Sequence, residues 1–180
     1  MGHKTSRLSL LLAASTLILA LTGCASPASR EAMTPQALDI SKHFPHTLTV
    51  QTGGGATTGA MDSSNISDED LKAAIEEAVI QSKLFTSIVQ GKGGDYELSV
   101  RVTTLSKPIF GGTFTVDMET AWSLTKVADR SVALRKSVKS SGSATMSEAF
   151  AGVTRLRLAV EAAARANISQ GLKAIAELNL

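Results

Sequence analysis

The chain has 180 residues, 43% hydrophobic and 19% charged, with a mean hydropathy of +0.12; this fits one folded domain and excludes a polytopic membrane protein or a disordered charged tail. The formal charge of +2 depends on the extreme N-terminus: Lys4 and Arg7 precede Cys24, every acidic residue follows it, and the 18 basic residues less these two leave 16 against 16 acidic. With no basic excess to neutralise phosphates, nucleic acid is not an expected partner.

Behind Lys4 and Arg7, Leu8 to Leu21 is an uncharged run of 14 residues. A helix crossing a hydrocarbon core of roughly 30 Å needs about 20, so residues 1–23 read as a signal peptide. Leu21-Thr22-Gly23-Cys24 ends the run with small residues before the only cysteine. This tetrad resembles the bacterial lipobox, which implies cleavage after Gly23, diacylglyceryl attachment to Cys24 and acylation of its new amino group. Two or more acyl chains anchor a protein stably where one does not. Ala25, where an Asp would imply inner-membrane retention, implies the periplasmic side of the outer membrane, with the inner membrane as the alternative. The remaining chain has no other cysteine, so no disulfide can staple it.

Residues 24–46 contain Ser26, Pro27, Ser29, Thr34, Pro35, Ser41 and Pro45 and read as a lipidated N-terminus and tether, with a docked segment around Leu38 to Phe44. A single domain is expected over 47–180. His46 to Thr52 alternates Leu48 and Val50 with threonines, as a strand does, and Gly53-Gly54-Gly55 ends it. Ser67 and Asp70 form a capping-box pair, followed by Leu71, Ile75, Ala78 and Val79 at helical spacing. Phe85, Ile88 and Val89 predict a short extended piece before Gly91-Lys92-Gly93-Gly94. Tyr96, Leu98, Val100 and Val102 alternate with polar residues, as do Phe114, Val116, Met118, Trp122 and Leu124, with Thr120 the one polar residue on the buried parity. Val132, Leu134 and Val138 predict a last strand, and Lys136 on their face marks it as the sheet edge. Thr145 and Glu148 read as the capping box of a long helix whose stripe runs from Val153 to Leu178. The order β-α-β-β-β-α predicts an α+β two-layer sandwich, a mostly antiparallel sheet with both helices on one face.

Chemistry-bearing constellations are sparse. His43 and His46 flank Phe44-Pro45 without a cysteine or carboxylate cluster, so no metal or other cofactor is expected. Neither glycine run is a phosphate loop, because no Gly-Lys-Ser/Thr follows. Ser141-Gly142-Ser143 lacks both the nucleophile-elbow context and a downstream histidine. Asp117 and Glu119 share a strand face and read as solvated, since a glycosidase needs a second carboxylate across a cleft. Tyr96, Phe114 and Trp122 read as core. Arg155, Arg157 and Arg165 read as the solvated side of the last helix, with Glu161 near enough to pair with Arg157 or Arg165. No catalytic residue is assigned, and the chain is not expected to be an enzyme.

The lipobox at Leu21–Cys24, the helix ending in Lys83-Leu84-Phe85, the strand Asp95-Tyr96-Glu97-Leu98-Ser99-Val100 and the terminal helix around Glu161–Ile168 together resemble small periplasm-facing lipoproteins. These include the LPS-assembly lipoprotein and auxiliary lipoproteins of envelope transport. The resemblance implies binding and scaffolding: an accessory subunit in envelope assembly or lipid transport, held to the membrane at Cys24 and contacting an envelope protein or lipid. A carrier for a hydrophobic or glycan ligand and a peptidoglycan hydrolase are the alternatives. The expected contact surface is the sheet face away from the helices, with Arg101, Asp117 and Glu119, and next the side of the last helix carrying Arg155, Arg157 and Arg165.

Overall fold

The computed structural model describes residues 25–59 and 62–180. Cys24 and the signal segment lie outside them. The described elements are α1 Arg30–Met33, β1 Phe44–Gly53, α2 Asp68–Ser82, β2 Phe85–Ile88, β3 Tyr96–Ser106, β4 Phe114–Lys126, β5 Val132–Ala144 and α3 Gly152–Ala176. They form an α+β two-layer sandwich whose five strands lie in the order β2-β1-β3-β4-β5. The long ladders β3–β4 and β4–β5 are antiparallel, whereas β1 runs parallel to short β2 and to β3. Both long helices cover one face, with α3 over β4 and β5 and α2 over β1. β5 is an edge, as Lys136 predicts.

The expected order lacks one strand and one short helix. Phe85 to Ile88 is not a loose extended piece; it is strand β2, which pairs with β1 at Phe44–Phe85 and Leu48–Ile88. β2 ends level with Leu48, and β3 begins level with Leu48 on the other side of β1. The chain must therefore cross β1, and Gly91-Lys92-Gly93-Gly94 makes the crossing. Gly91 and Gly93 take positive φ, and a Cβ on Gly94 would lie 2.8 Å from the backbone nitrogen of Thr49. Only glycine permits that approach, which buries Thr49 while its hydroxyl accepts from the Gly94 N–H.

The alternation along β4 holds throughout: Phe114, Val116, Met118, Trp122 and Leu124 are buried against the helices. In β3 it breaks once. Val102 faces Thr120 but Thr104 faces Glu119, so Thr103 is the extra residue of a bulge and its hydroxyl donates to the Glu119 carbonyl. The bulge shifts the parity by one and turns Leu105 toward Met118 and the core.

Trp122 is the centre of the packing. Its indole N–H donates to Thr120 Oγ1 at 2.8 Å and to Asn167 Oδ1 at 3.2 Å. Thr120 also donates to Asn167 Oδ1, and the Asn167 amide donates to the Val138 carbonyl and Ser140 Oγ. Ser140 in turn donates to the Ala163 carbonyl. Thr120, the polar exception on the buried parity, is thus one member of a satisfied network joining β4, β5 and α3. Small residues allow the close fit, since a Cβ on Gly171 would overlap the Trp122 ring and one on Gly142 would overlap the α3 backbone at Ala163.

The long helix does not open at Thr145. Thr145 and Glu148 form their hydrogen bonds, with the Thr145 N–H and hydroxyl both donating to Glu148 Oε2, but around a turn. Adjacent layers lie about 10 Å apart, and residues 145–151 are the connection from the end of β5 to the helix layer, which begins at Gly152. Nor is all of 25–46 free of the domain. Ala28 and Met33 are fully buried, Ser29 caps α1 by accepting from the Ala32 N–H, and the Ala28 N–H donates to the Asn65 carbonyl.

Candidate interaction surfaces

The solvent face of the sheet carries the residues expected there. Asp117 accepts from Ser141 Oγ and Glu119 from Ser137 Oγ, each hydroxyl on the neighbouring strand β5. Lys139, directly opposite Glu119, lies 3.8 Å from its carboxylate. Thr115 and Ser143 are hydrogen-bonded in the same row. Arg101 lies far from Asp117 but diagonally across the ladder from Glu119, with its guanidinium packed on Gly53. It stands opposite Ala121 on β4 and opposite Gly53 on β1, whereas Asp117 stands opposite Ser106. At about 3.3 Å per residue the interval from Arg101 to Ser106 is about 16 Å. The two acids are brought together and each already has a hydroxyl partner; with Lys139 they border an open surface cavity of about 510 Å³ beside Thr104 and Ser140.

The three arginines of α3 occupy three different environments. Arg155 is only 6% exposed. Its guanidinium donates to the carbonyls of Ala149, Phe150 and Gly111, at 3.0, 3.3 and 3.1 Å, and lies 4.6 Å over the Phe114 ring. It is a clamp between the β3–β4 turn and the β5–α3 connection rather than a solvated side chain. Arg157 is half-buried. Arg165 is exposed but donates to the Ala32 carbonyl at 2.6 Å. Glu161 is buried and accepts from the Ser29 N–H at 3.0 Å, instead of pairing with Arg157 or Arg165. This side of α3 is therefore largely taken by the chain's own residues 28–34, with an open groove of about 640 Å³ between Pro35, Gln36 and Arg165.

The most exposed large apolar side chains escaped the sequence reading. Ile109 is 93% exposed, Phe110 87% and Phe150 85%, with Met146 and Val153 also exposed beside them in sequence and space. The signal was available: Ile109-Phe110 sits between Pro108 and Gly111-Gly112, and Phe150 stands just before Gly152, in turns where no periodic face can bury them. The Arg155 clamp holds these two connections side by side, and a Cβ on Gly112 would lie 3.6 Å from Met146 Sδ. Lys107, at the root of the same turn, points inward and donates to Ser63 Oγ, the Ser64 carbonyl and Asn65 Oδ1. Partial burial pushes its ammonium below the usual lysine range, opposed by the Asp62 charge.

His43 and His46 have different partners. His43 Nδ1 donates to the Lys83 carbonyl at 2.6 Å, while the His46 ring packs 5.1 Å from that of Tyr96. Among the described residues no three His, Cys, Asp or Glu side chains are grouped to hold a metal ion, and no helix is long and apolar enough to cross a membrane. No family model and no curated protein matches the chain. Solved structures do. Protein XCC0632 from Xanthomonas campestris superposes with a TM-score of 0.59 at 13% identity, covering 79% of this chain and 91% of that one. The hypothetical protein CT253 from Chlamydia trachomatis gives 0.50 at 4% identity, covering 73% and 94%. At such identities the likeness is one of fold.

Proposed function

We propose that the protein is a non-enzymatic lipoprotein, held at the periplasmic side of the outer membrane by lipid on Cys24, that acts by contact as an accessory subunit in envelope assembly or lipid transport. The observation that carries this reading is the position of the only cysteine, at the end of Leu21-Thr22-Gly23-Cys24 and directly behind the apolar run Leu8–Leu21. The site geometry supports action without turnover. Asp117 and Glu119 are engaged by Ser141 and Ser137, and the arginines of α3 serve the chain's own carbonyls or lie half-buried. A carrier would keep a cavity between sheet and helices, and at the centre of that interface the Trp122 ring lies against Gly171 instead. The outer-membrane assignment follows Ala25, and the role in envelope assembly or lipid transport follows the resemblance of the lipobox and the surrounding α/β pattern.

Replacing Cys24 with Ser tests the anchor. Wild-type chain is expected in the membrane fraction with a mass increment of acyl chains on Cys24, and the folded variant in the fraction released by a high-salt wash. A wild-type Cys24 that carries no lipid by mass would overturn the reading. Crosslinking in intact envelopes tests action by contact, with a defined partner as the expected result. Carboxylate-dependent turnover of an envelope polymer by the purified protein would replace that reading with an enzymatic one.

A further inference from the structure

One end of the domain gathers the start of the described chain and the exposed apolar turns. Ser64 Oγ donates to the Ser26 carbonyl at 2.8 Å, and the Ser64 carbonyl accepts from Lys107 Nζ at 3.0 Å. Lys107 is two residues from Ile109, so Ser26 and the Ile109-Phe110 turn belong to the same end. The Arg155 clamp adds Phe150 to it. Cys24 precedes Ser26 by two residues, a reach of at most about 7 Å. The polar layer between the hydrocarbon core and water is roughly 5–8 Å deep on each side of a bilayer. An anchor so short leaves no room for the domain to stand off, and brings this end against the headgroups. We propose that Ile109, Phe110 and Phe150 enter the boundary between lipid headgroups and acyl chains beside the Cys24 anchor, fixing the orientation of the domain on the membrane.

Three further features fit a lipid surface. The side chains are large, apolar and almost wholly exposed, a cluster that ordinarily marks a contact surface. They project from short turns held by a buried guanidinium, so little order has to be imposed when they insert. The only lysine of the β3–β4 turn, Lys107, is turned inward, while Asp62, Glu148, the first-turn acids Asp68, Glu69 and Asp70 and the exposed Arg101 beside Gly53 and Gly54 give this end mixed charge. With acids outnumbering that one exposed cation, the insertion is driven by the apolar side chains, with little dependence on salt.

This inference rests on the lipoprotein reading, and the experiment separates the two. The full lipidated chain is purified with Phe110→Trp, Phe150→Trp or, at the opposite end, Lys92→Trp, and placed in phosphatidylcholine vesicles whose acyl chains carry bromine. Trp122 is buried and supplies a constant background. Mass measurement of Cys24 settles the anchor first. With the lipid present, blue-shifted emission and strong bromine quenching are expected for tryptophan at 110 and 150, unchanged in high salt, with neither change at 92. Lipidated protein whose tryptophans at 110 and 150 keep water-like, unquenched emission overturns the proposal. So does a blue shift without quenching that grows with protein density on the vesicle, because the turns then cover a second copy, or one that requires an added envelope protein.

Discussion

The two ends of the sandwich are built on opposite rules. At the end where β1 and β3 begin, charged and polar side chains reach one another across the surface. Asp95 accepts from the Thr47 N–H and hydroxyl, His43 meets the Lys83 carbonyl, and Lys42 meets Asn179. At the other end Lys107 and Arg155 turn inward onto carbonyls and hydroxyls, and Ile109, Phe110 and Phe150 stand outside. The first end also exposes Ile80 and Val132, but they stand apart on α2 and β5 among these polar contacts. The second turns these two cations inward and carries the largest exposed apolar side chains outside.

Between them the sheet and α3 must be rigid for either end to be positioned, and this is where the largest effect is expected. Trp122→Ala empties the space against Gly171 and strands the Thr120–Asn167–Ser140 network. A buried Trp to Ala change costs about 3–5 kcal/mol, a large share of the stability of a domain of this size. Chemical denaturation followed by circular dichroism reads the loss. In the wild type, tryptophan emission is expected to be strongly blue-shifted before unfolding, and a water-like maximum in the folded state would place the ring on the surface.

A smaller effect, confined to the apolar end, is expected from Arg155→Ala. The change removes charge-assisted hydrogen bonds to three carbonyls and the contact with Phe114. One such bond is worth about 1.5–3 kcal/mol, and water reaching the freed carbonyls returns part of the loss, so a net cost of about 2 kcal/mol is expected. The distinguishing readout is local. Protease cleavage within 107–113 and 145–151 should accelerate in the folded variant, while the turn at 127–131 keeps its wild-type rate. Equal acceleration at both ends would mean that Arg155 supports the fold in general rather than clamping two connections.

The contrast between the ends also marks where the sequence was readable. β4 was legible because its alternation is unbroken over Phe114 to Leu124 and one face is wholly buried. β3 was legible only to Val102, since the bulge at Thr103 is specified by pairing with Glu119 on another strand and leaves no local trace. Phe85 and Ile88 were recognisable as extended, but a four-residue strand becomes one only through its partner Phe44–Leu48. The arginines of α3 were the least readable. Their spacing fits a solvated helix face, whereas the acceptors that draw Arg155 inward include Gly111, 44 residues away in sequence, and the partners of Arg165 and Glu161, the Ala32 carbonyl and the Ser29 N–H, lie near residue 30. Local propensity reports none of these contacts.

The smallest expected effect compares one carboxylate from each end. Asp95 and Glu148 are both held below their ordinary pKa, each chiefly by a backbone N–H and then by a threonine hydroxyl. Asp95 takes these bonds from Thr47, 48 residues away on the neighbouring strand, and returns one through its own N–H to the Thr47 hydroxyl. Glu148 takes them from Thr145 within the same turn. A folded-state pKa below the unfolded value means that the carboxylate stabilises the fold at pH above the unfolded value, about 3.9 for Asp and 4.3 for Glu. That contribution is lost as pH falls through the folded-state pKa. Asp95→Asn should therefore lower the denaturation midpoint at neutral pH, with the gap to wild type closing on acidification and vanishing once the wild-type carboxyl is protonated. Glu148→Gln should show the same sign and window with a smaller gap, because its bonds close only a turn. Melting curves across acidic to neutral pH check both, and a gap for Asp95→Asn that persists unchanged into acid would show that the Thr47 bonds do not depend on the charge.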